Sequence, residues 1–215
     1  AFHALLQARF PKTHATLKRE VVADLSLLYT WEGTDPKAKP IMLMAHQDVV
    51  PVAPGTEGDW AVAPYSGEVK DGFVWGRGSW DDKGNLYAML EAAEALAKAG
   101  FKPKRTVYFA FGHDEETAGT RGAKTIAALF ASRGVKLDFV FDEGLLITDG
   151  LVKGIDKPVD QREIVGGNDP HAVIRRKALG DQRGIARLVM IRLIETDRTG
   201  RDRLGRRLGH QRDHS

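Results

Sequence analysis

An α/β fold with a mainly parallel central sheet is what this sequence predicts, and three observations predict it. Strand-sized apolar runs alternate with helix-length amphipathic segments through residues 1–150, the pattern of βαβ units. Polar and acidic residues collect just after the apolar runs, where open α/β sheets build their sites. The balance of 42% hydrophobic and 28% charged residues over 215 positions is ordinary for a globular chain with a real core, and it excludes wholesale disorder and collagen-like repeats.

The elements follow in order. Phe2, Leu5, Leu6 and Phe10 are spaced for a helix that is already under way at Ala1, so the true N-terminus, with any signal or anchor, is expected upstream and the compartment is not legible. Ser26–Trp31 reads as a short strand, Pro36–Pro40 as a turn and Ile41–Ala45 as a buried strand. Val49–Tyr65 is loop, and Gly67–Gly78 is a hairpin turning at Asp71-Gly72. Leu86, Met89, Leu90, Ala93, Leu96 and Ala97 make a 3.6-period stripe that predicts a helix over Gly84–Ala99, stopped by Gly100. Arg105–Gly112 alternates Val107, Phe109 and Phe111 against Tyr108 and Ala110 as a strand. A helix is expected over Gly119–Arg133 and a last strand over Leu137–Phe141.

Beyond residue 155 the character changes. Residues 1–150 carry 17 Lys and Arg against 20 Asp and Glu, whereas residues 151–215 carry 15 against 9, with 12 Arg among the 15. All 17 aromatic residues lie at or before Phe141. Ile185, Leu188, Val189 and Leu193 are spaced for one helix face, and Arg198–Ser215 has no core-forming content. Cysteine is absent, which removes disulfides, thiolate nucleophiles and Cys-ligated zinc. No run of about 18 apolar residues is present, so no membrane span is expected.

Four clusters carry the chemistry. His46 and Asp48 follow Ile41–Ala45, Asp81 and Asp82 follow the hairpin, His113 to Glu116 follow Arg105–Gly112, and Asp142 and Glu143 follow Leu137–Phe141. Taken singly, each has a plainer reading. His46 suits a structural strand-end histidine, and Asp81 to Gly84 a helix N-cap. Glu115-Glu116 suits a helix start favoured by the macrodipole, and Asp142-Glu143 a turn. Together they should meet at one sheet edge, where several carboxylates repel unless a cation neutralises them. Imidazole with carboxylates and no thiolate suits zinc, with manganese or cobalt as alternatives.

Met44-Ala45-His46-Gln47-Asp48-Val49-Val50, Gly76-Arg77-Gly78-Ser79-Trp80-Asp81-Asp82-Lys83-Gly84, Gly112-His113-Asp114-Glu115-Glu116 and Phe141-Asp142-Glu143-Gly144 resemble the successive motifs of the dinuclear zinc metallopeptidase/amidohydrolase family. That family includes aminoacylase, acetylornithine deacetylase, succinyl-diaminopimelate desuccinylase, glutamate carboxypeptidase and carnosinase. Leu17–Val21 and Ser26–Trp31 are similar to its carboxypeptidase S and N-fatty-acyl-amino-acid hydrolase branch. The resemblance covers about residues 1–158.

It implies a three-layer α/β/α catalytic domain and hydrolysis of an amide bond beside a free carboxylate, through a metal-bridging water. It also implies two zinc ions (cobalt or manganese possible), and a small peptide or N-acyl amino acid as substrate. His46 and Asp142 would bind one ion, Asp81 both and Glu116 the other. Glu115 would be the general base, and Asp48 would hydrogen-bond His46. Asp82 corresponds to a position that follows a cis peptide. His113 matches no ligand and reads as local structure or a substrate contact.

The resemblance stops near Val159, so the expected division is a partial catalytic domain over 1–158 and an Arg-rich, aberrant or disordered tail over 159–215. The lid or dimerisation domain, the closing C-terminal part and the last metal-binding His of the family are expected to be absent. His171, His210 and His214 stand in no family context, and Asn168 of Gly166-Gly167-Asn168 stands where the lid segment has His. A nucleic-acid arm is not expected from an Arg-rich tail without aromatics, and homodimers are expected only of full-length relatives. The alternative function is an inactive remnant that binds metal or a partner.

Overall fold

The computed structural model describes residues 1–143, together with the backbone of three two-residue strands between 147 and 165. Two short helices open the chain, α1 (Phe2–Arg9) and α2 (Pro11–Thr16), the second starting at a proline whose missing N–H costs nothing at a first helical position. A hairpin of β1 (Lys18–Val22) and β2 (Ser26–Trp31) follows, turning through Ala23 and Asp24 at positive φ. Next come β3 (Ile41–His46), then the hairpin of β4 (Glu68–Lys70) and β5 (Phe73–Trp75). The remaining described elements are α3 (Lys83–Lys98), β6 (Val107–Gly112), α4 (Ala123–Ser132) and β7 (Val140–Phe141), then β8 (Ile147–Thr148), β9 (Val159–Asp160) and β10 (Ile164–Val165).

The principal sheet has the order β1-β2-β6-β3-β7-β10. It is mixed rather than mainly parallel. The pairs β6–β3 and β3–β7 are parallel, but β1–β2, β2–β6 and β7–β10 are antiparallel. The cause is local: a tight turn joins β1 to β2, and a tight turn can join only antiparallel neighbours. The last expected strand is also shorter. At its start the Asp138 amide donates to Pro40 O at 2.7 Å and the Asp138 carboxylate accepts from Arg105 at 2.8 Å, outside any ladder.

Helices cover both faces. Leu27, Tyr29, Trp31, Leu43, Phe109 and Phe111 point toward α1, α2 and α3, where they pack with Leu6, Phe10, Leu86, Leu90 and Leu96. Leu28, Met42 and Ala110 point the other way and pack with Ile126 and Phe130 of α4, residues one helical turn apart. β2 is therefore buried at every position, which explains an apolar run without clean alternation. Gly100, at φ +69°, ends α3 as expected.

The register places the site. Parallel pairing sets His46 opposite Gly112 and Leu43 opposite Phe141. The residues that follow β3, β6 and β7 therefore leave the sheet at one edge. The expected tail over 159–215, including the helix face from Ile185 to Leu193, His171, His210, His214 and Asn168, lies outside the described residues apart from the backbone of its short strands. Among the described residues, no helix is long and apolar enough to cross a membrane.

Candidate metal centre

His46, the last residue of β3, is only 3% exposed. Its backbone N–H donates to Asp82 Oδ2 at 3.1 Å. Its ring Nδ1 faces the backbone oxygen of Asp48 at 3.2 Å and the Asp48 carboxylate at 3.3 Å. A proton on Nδ1 satisfies those acceptors and leaves Nε2 with its lone pair turned the other way. Nε2 faces Asp81 Oδ1 at 2.8 Å, Glu143 Oε1 at 3.7 Å and Glu115 Oε2 at 3.8 Å. Three carboxylates from three loops thus converge on one imidazole nitrogen.

Two groups of donor atoms lie close enough to share an ion: His46 with Asp81 and Glu143, and His46 with Glu115 and Glu116. They meet at His46, so they form one crowded centre, consistent with a dinuclear zinc, cobalt or manganese site. Asp142 stands beside it, on the wall of a cleft of about 270 Å³ that His46, Glu115, Gly112 and Ala45 also line. Asp142 Oδ1 accepts the Glu143 amide at 2.9 Å. Of the six expected site residues, His46, Asp81, Glu115 and Glu116 fall within the donor groups. Asp48 and Asp142 adjoin them.

Glu143 is the addition. Sequence reasoning placed it in the fourth cluster without a role, because adjacency to Asp142 does not say which of two consecutive side chains turns toward His46. Asp82 is the second. Fully buried, it accepts the His46 amide and, at 2.5 Å, the Asn85 side chain. The peptide between Asp81 and Asp82 is cis, as the resemblance implied.

Asp48 grips a second loop as well. Its two carboxylate oxygens accept the amides of Glu115 at 3.2 Å and Glu116 at 3.0 Å, in the short 3-10 turn Glu115–Thr117. Asp114 closes that turn from the other end by accepting the amides of Arg121 and Gly122, both at 2.7 Å. Gly122 leaves no room for a side chain, since a Cβ would meet Asp114 Oδ1 at 2.6 Å. His113 is tied through Nδ1 to Ser26 Oγ at 2.7 Å, which favours its reading as local structure; its Nε2 is buried without a hydrogen-bond partner.

The electrostatics reflect crowding. Burial pushes the Asp82 carboxyl up to about 6, against the hydrogen bonds from His46 and Asn85. Burial, then the charges of Asp82, Asp81 and Asp142, push Glu143 up to about 7. Glu115 is raised by burial and by the charges of Glu116, Asp48 and Asp81. Burial works against the His46 imidazolium, but the charges of Asp82, Glu143, Asp48 and Asp81 outweigh it and hold the ring above its ordinary pKa. Every one of these shifts retains a proton where an added positive charge would be welcome.

Comparison with known proteins agrees with this geometry. Residues 42–182 match the family described as Peptidase family M20/M25/M40. The match runs past the boundary expected at 158. The chain is 44% identical over 160 residues to the probable carboxypeptidase S-like 2 of Dictyostelium discoideum, covering 74% of this chain and 30% of that protein. It is 46% identical over 160 residues to the N-fatty-acyl-amino acid synthase/hydrolase PM20D1 of Mus musculus, covering 74% and 31%. With carboxypeptidase S of Saccharomyces cerevisiae it shares 50% identity over 161 residues, 73% of this chain and 27% of that one. The chain thus spans about a third of the length of the curated relatives it matches. Among solved structures, human carnosine dipeptidase 1 superposes with a TM-score of 0.55 at 21% identity, covering 69% of this chain and 34% of that one. An M20 family metallo-carboxypeptidase, Sso-CP2 from Sulfolobus solfataricus, gives 0.53 at 23% identity, covering 66% and 31%. Both likenesses concern the fold.

Proposed function

This chain belongs to peptidase family M20/M25/M40, and from that premise we propose that its acidic cluster holds two divalent ions, zinc by preference. We further propose that it serves the hydrolysis of an amide bond beside a free carboxylate. One observation carries the reading: the buried Nε2 of His46 faces oxygens of Asp81, Glu143 and Glu115 at 2.8, 3.7 and 3.8 Å. Donors about 2.0–2.1 Å from one tetrahedral zinc stand roughly 3–3.5 Å apart, and these spacings bracket that range. Hard oxygens with one imidazole and no sulfur also fit cobalt and manganese. The residues present therefore fit the group.

His46 and Asp142 would hold one ion, Asp81 both, and Glu116 the other. Glu143 competes with Asp142 for its position, and comparing metal content in Asp142→Asn and Glu143→Gln decides between them. When bound, the ions would lower the pKa of water and polarise the amide carbonyl. Glu115, beside the ligand Glu116 but free of that duty, would take the proton from the attacking water and return it to the leaving amine nitrogen. Its raised pKa suits a base that must also act as an acid. Asp48, holding the amides of Glu115 and Glu116, would keep the base in register with His46.

The names of the relatives, carboxypeptidases and an N-fatty-acyl-amino acid synthase/hydrolase, support a small peptide or N-acyl amino acid as substrate. The test is elemental analysis of the purified chain, followed by hydrolysis of N-acyl amino acids with added zinc. About two ions per chain and turnover that depends on Glu115 support the proposal. Metal without turnover leaves a metal-binding module, and no metal overturns it.

A further inference from the structure

Two of the loops that meet at His46 are also interlocked through Gln47. Gln47 lies between His46 and Asp48, and its backbone amide, its carbonyl oxygen and its side-chain nitrogen are all engaged. Its amide donates to Gly112 O at 2.8 Å, and its side chain donates to Phe111 O at 2.8 Å and Leu25 O at 3.0 Å. Its carbonyl oxygen accepts from Lys83 Nζ at 2.6 Å. Lys83 is the first residue of α3, two positions after Asp81, so this bond joins the loop of His46 and Asp48 to the loop of Asp81. The same loops interlock again where Gly78, at φ +81°, lies so close to Val49 that a Cβ would stand 2.5 Å from its Cγ1.

We infer that Lys83 is a positioning residue for the metal centre, its half-buried ammonium fixing the loop of His46 and Asp48 against the loop of Asp81. The inference rests on the metal reading above and adds to it a residue that touches no ion. The Gln47 carbonyl is held by this ammonium through a 2.6 Å charge-assisted bond. The ammonium also places a positive charge near the Asp48 carboxylate, inside a cluster otherwise dominated by acids. The centre of the Phe2 ring lies 6.0 Å from Nζ. Without the donor, the Gln47 peptide is free to tilt, and the adjoining His46 and Asp48 tilt with it relative to Asp81.

The experiment is a cobalt titration of the full chain, wild type against Lys83→Met and Lys83→Arg, following the visible absorption of the bound ion, with zinc competition for affinity. Lys83→Met keeps the side-chain length without the donor, and about a tenfold loss of affinity with an altered cobalt spectrum is expected, as for other residues that orient ligands. Lys83→Arg, which retains a charged donor, recovers most of the affinity. Unchanged affinity and spectrum in Lys83→Met overturn the inference, as does equal loss in both variants, which would point to side-chain volume. If Lys83→Met does not fold, Lys83→Leu, which also lacks a donor, serves in its place under the same criteria. A wild-type chain that takes up no cobalt overturns the metal reading itself, a different result from a wild type that binds and a variant that binds equally.

Discussion

Freed of metal, this protein should lose stability as the pH rises from about 5 to 7.5, the reverse of ordinary acid denaturation. The sign follows from the site. Asp82 has an ordinary value of 3.8 and is held at about 6, and Glu143 has an ordinary value of 4.5 and is held at about 7. His46 and Glu115 are also raised. Each therefore binds more protons in the folded chain than in the unfolded one across this window, so folding weakens as protons leave. Asp82 is fully buried, and the part of its shift that falls in this window, about one unit between pH 5 and 6, corresponds to roughly 1–1.5 kcal/mol. Glu143 is more than a third exposed, so solvent screens its share and it adds to the direction only. In a chain of this size that amounts to a fall of about 3–6 °C in melting temperature. The opposing groups, Glu20, Glu94 and Asp114, are lowered, so the stability they contribute is lost only as pH falls below the ordinary carboxylate range. The assay is a melting series on chelator-treated protein across this range, repeated with zinc. Zinc should raise the midpoint most at the alkaline end, where the carboxylates are free to bind it. A flat or rising midpoint without metal would refute the reasoning.

Four substitutions extend the test. Glu115→Gln should lower hydrolysis by about 100-fold or more with metal content unchanged, measured by turnover and elemental analysis on the same sample. Asp48→Asn sets an amide donor against one of the amides of Glu115 and Glu116 and should weaken metal binding about 10- to 100-fold in a zinc titration. Glu94 accepts the Lys12 amide on one oxygen and the Thr13 amide and hydroxyl on the other, so Glu94→Gln sets an NH2 against one of these donors, loosens α2 from α3, and should cost about 1–3 kcal/mol in urea unfolding. Gly33→Ala would place a Cβ 2.4 Å from the backbone of Arg105 and Thr106 and should cost at least about 1–3 kcal/mol in the same measurement, without altering the metal titration.

What was legible in the sequence follows a physical line. Ile41–Ala45 and the alternation of Val107, Phe109 and Phe111 were readable because burial on the sheet writes itself into residue type. β1 was not, because Lys18–Val22 is an edge strand rich in charge, with only Val22 buried. Strand direction was not legible either. Ser26–Trp31 has the same pattern whichever way it runs, and only the turn at Ala23 and Asp24 makes it antiparallel to β1. The four acidic clusters could be predicted to meet because each follows a strand. Which oxygen of Asp142-Glu143 turns toward His46 depends on the backbone angles just after a two-residue strand, and sequence carries no signal for those. The roles of Asp82, Gln47 and Lys83 were hidden for a related reason. Each acts by bonding to a backbone atom, and backbone atoms are the same whatever the sequence.

That distinction also sorts the acids of the site by what their oxygens are already doing. Asp82 holds the His46 amide, Asp48 the amides of Glu115 and Glu116, and Asp114 those of Arg121 and Gly122. A carboxylate engaged by two N–H donors has less lone-pair density to offer an ion and is fixed in a plane that an ion would have to accept. Asp81, Glu115 and Glu116 are not held in this way, and they, not the backbone-bonded acids, fall within the donor groups around His46. The cluster therefore divides into acids that fix loops and acids that face the cleft. The loop-fixing set bonds the backbone amides of His46, Glu115 and Glu116, so it orders the very loops whose side chains an ion would need to find together.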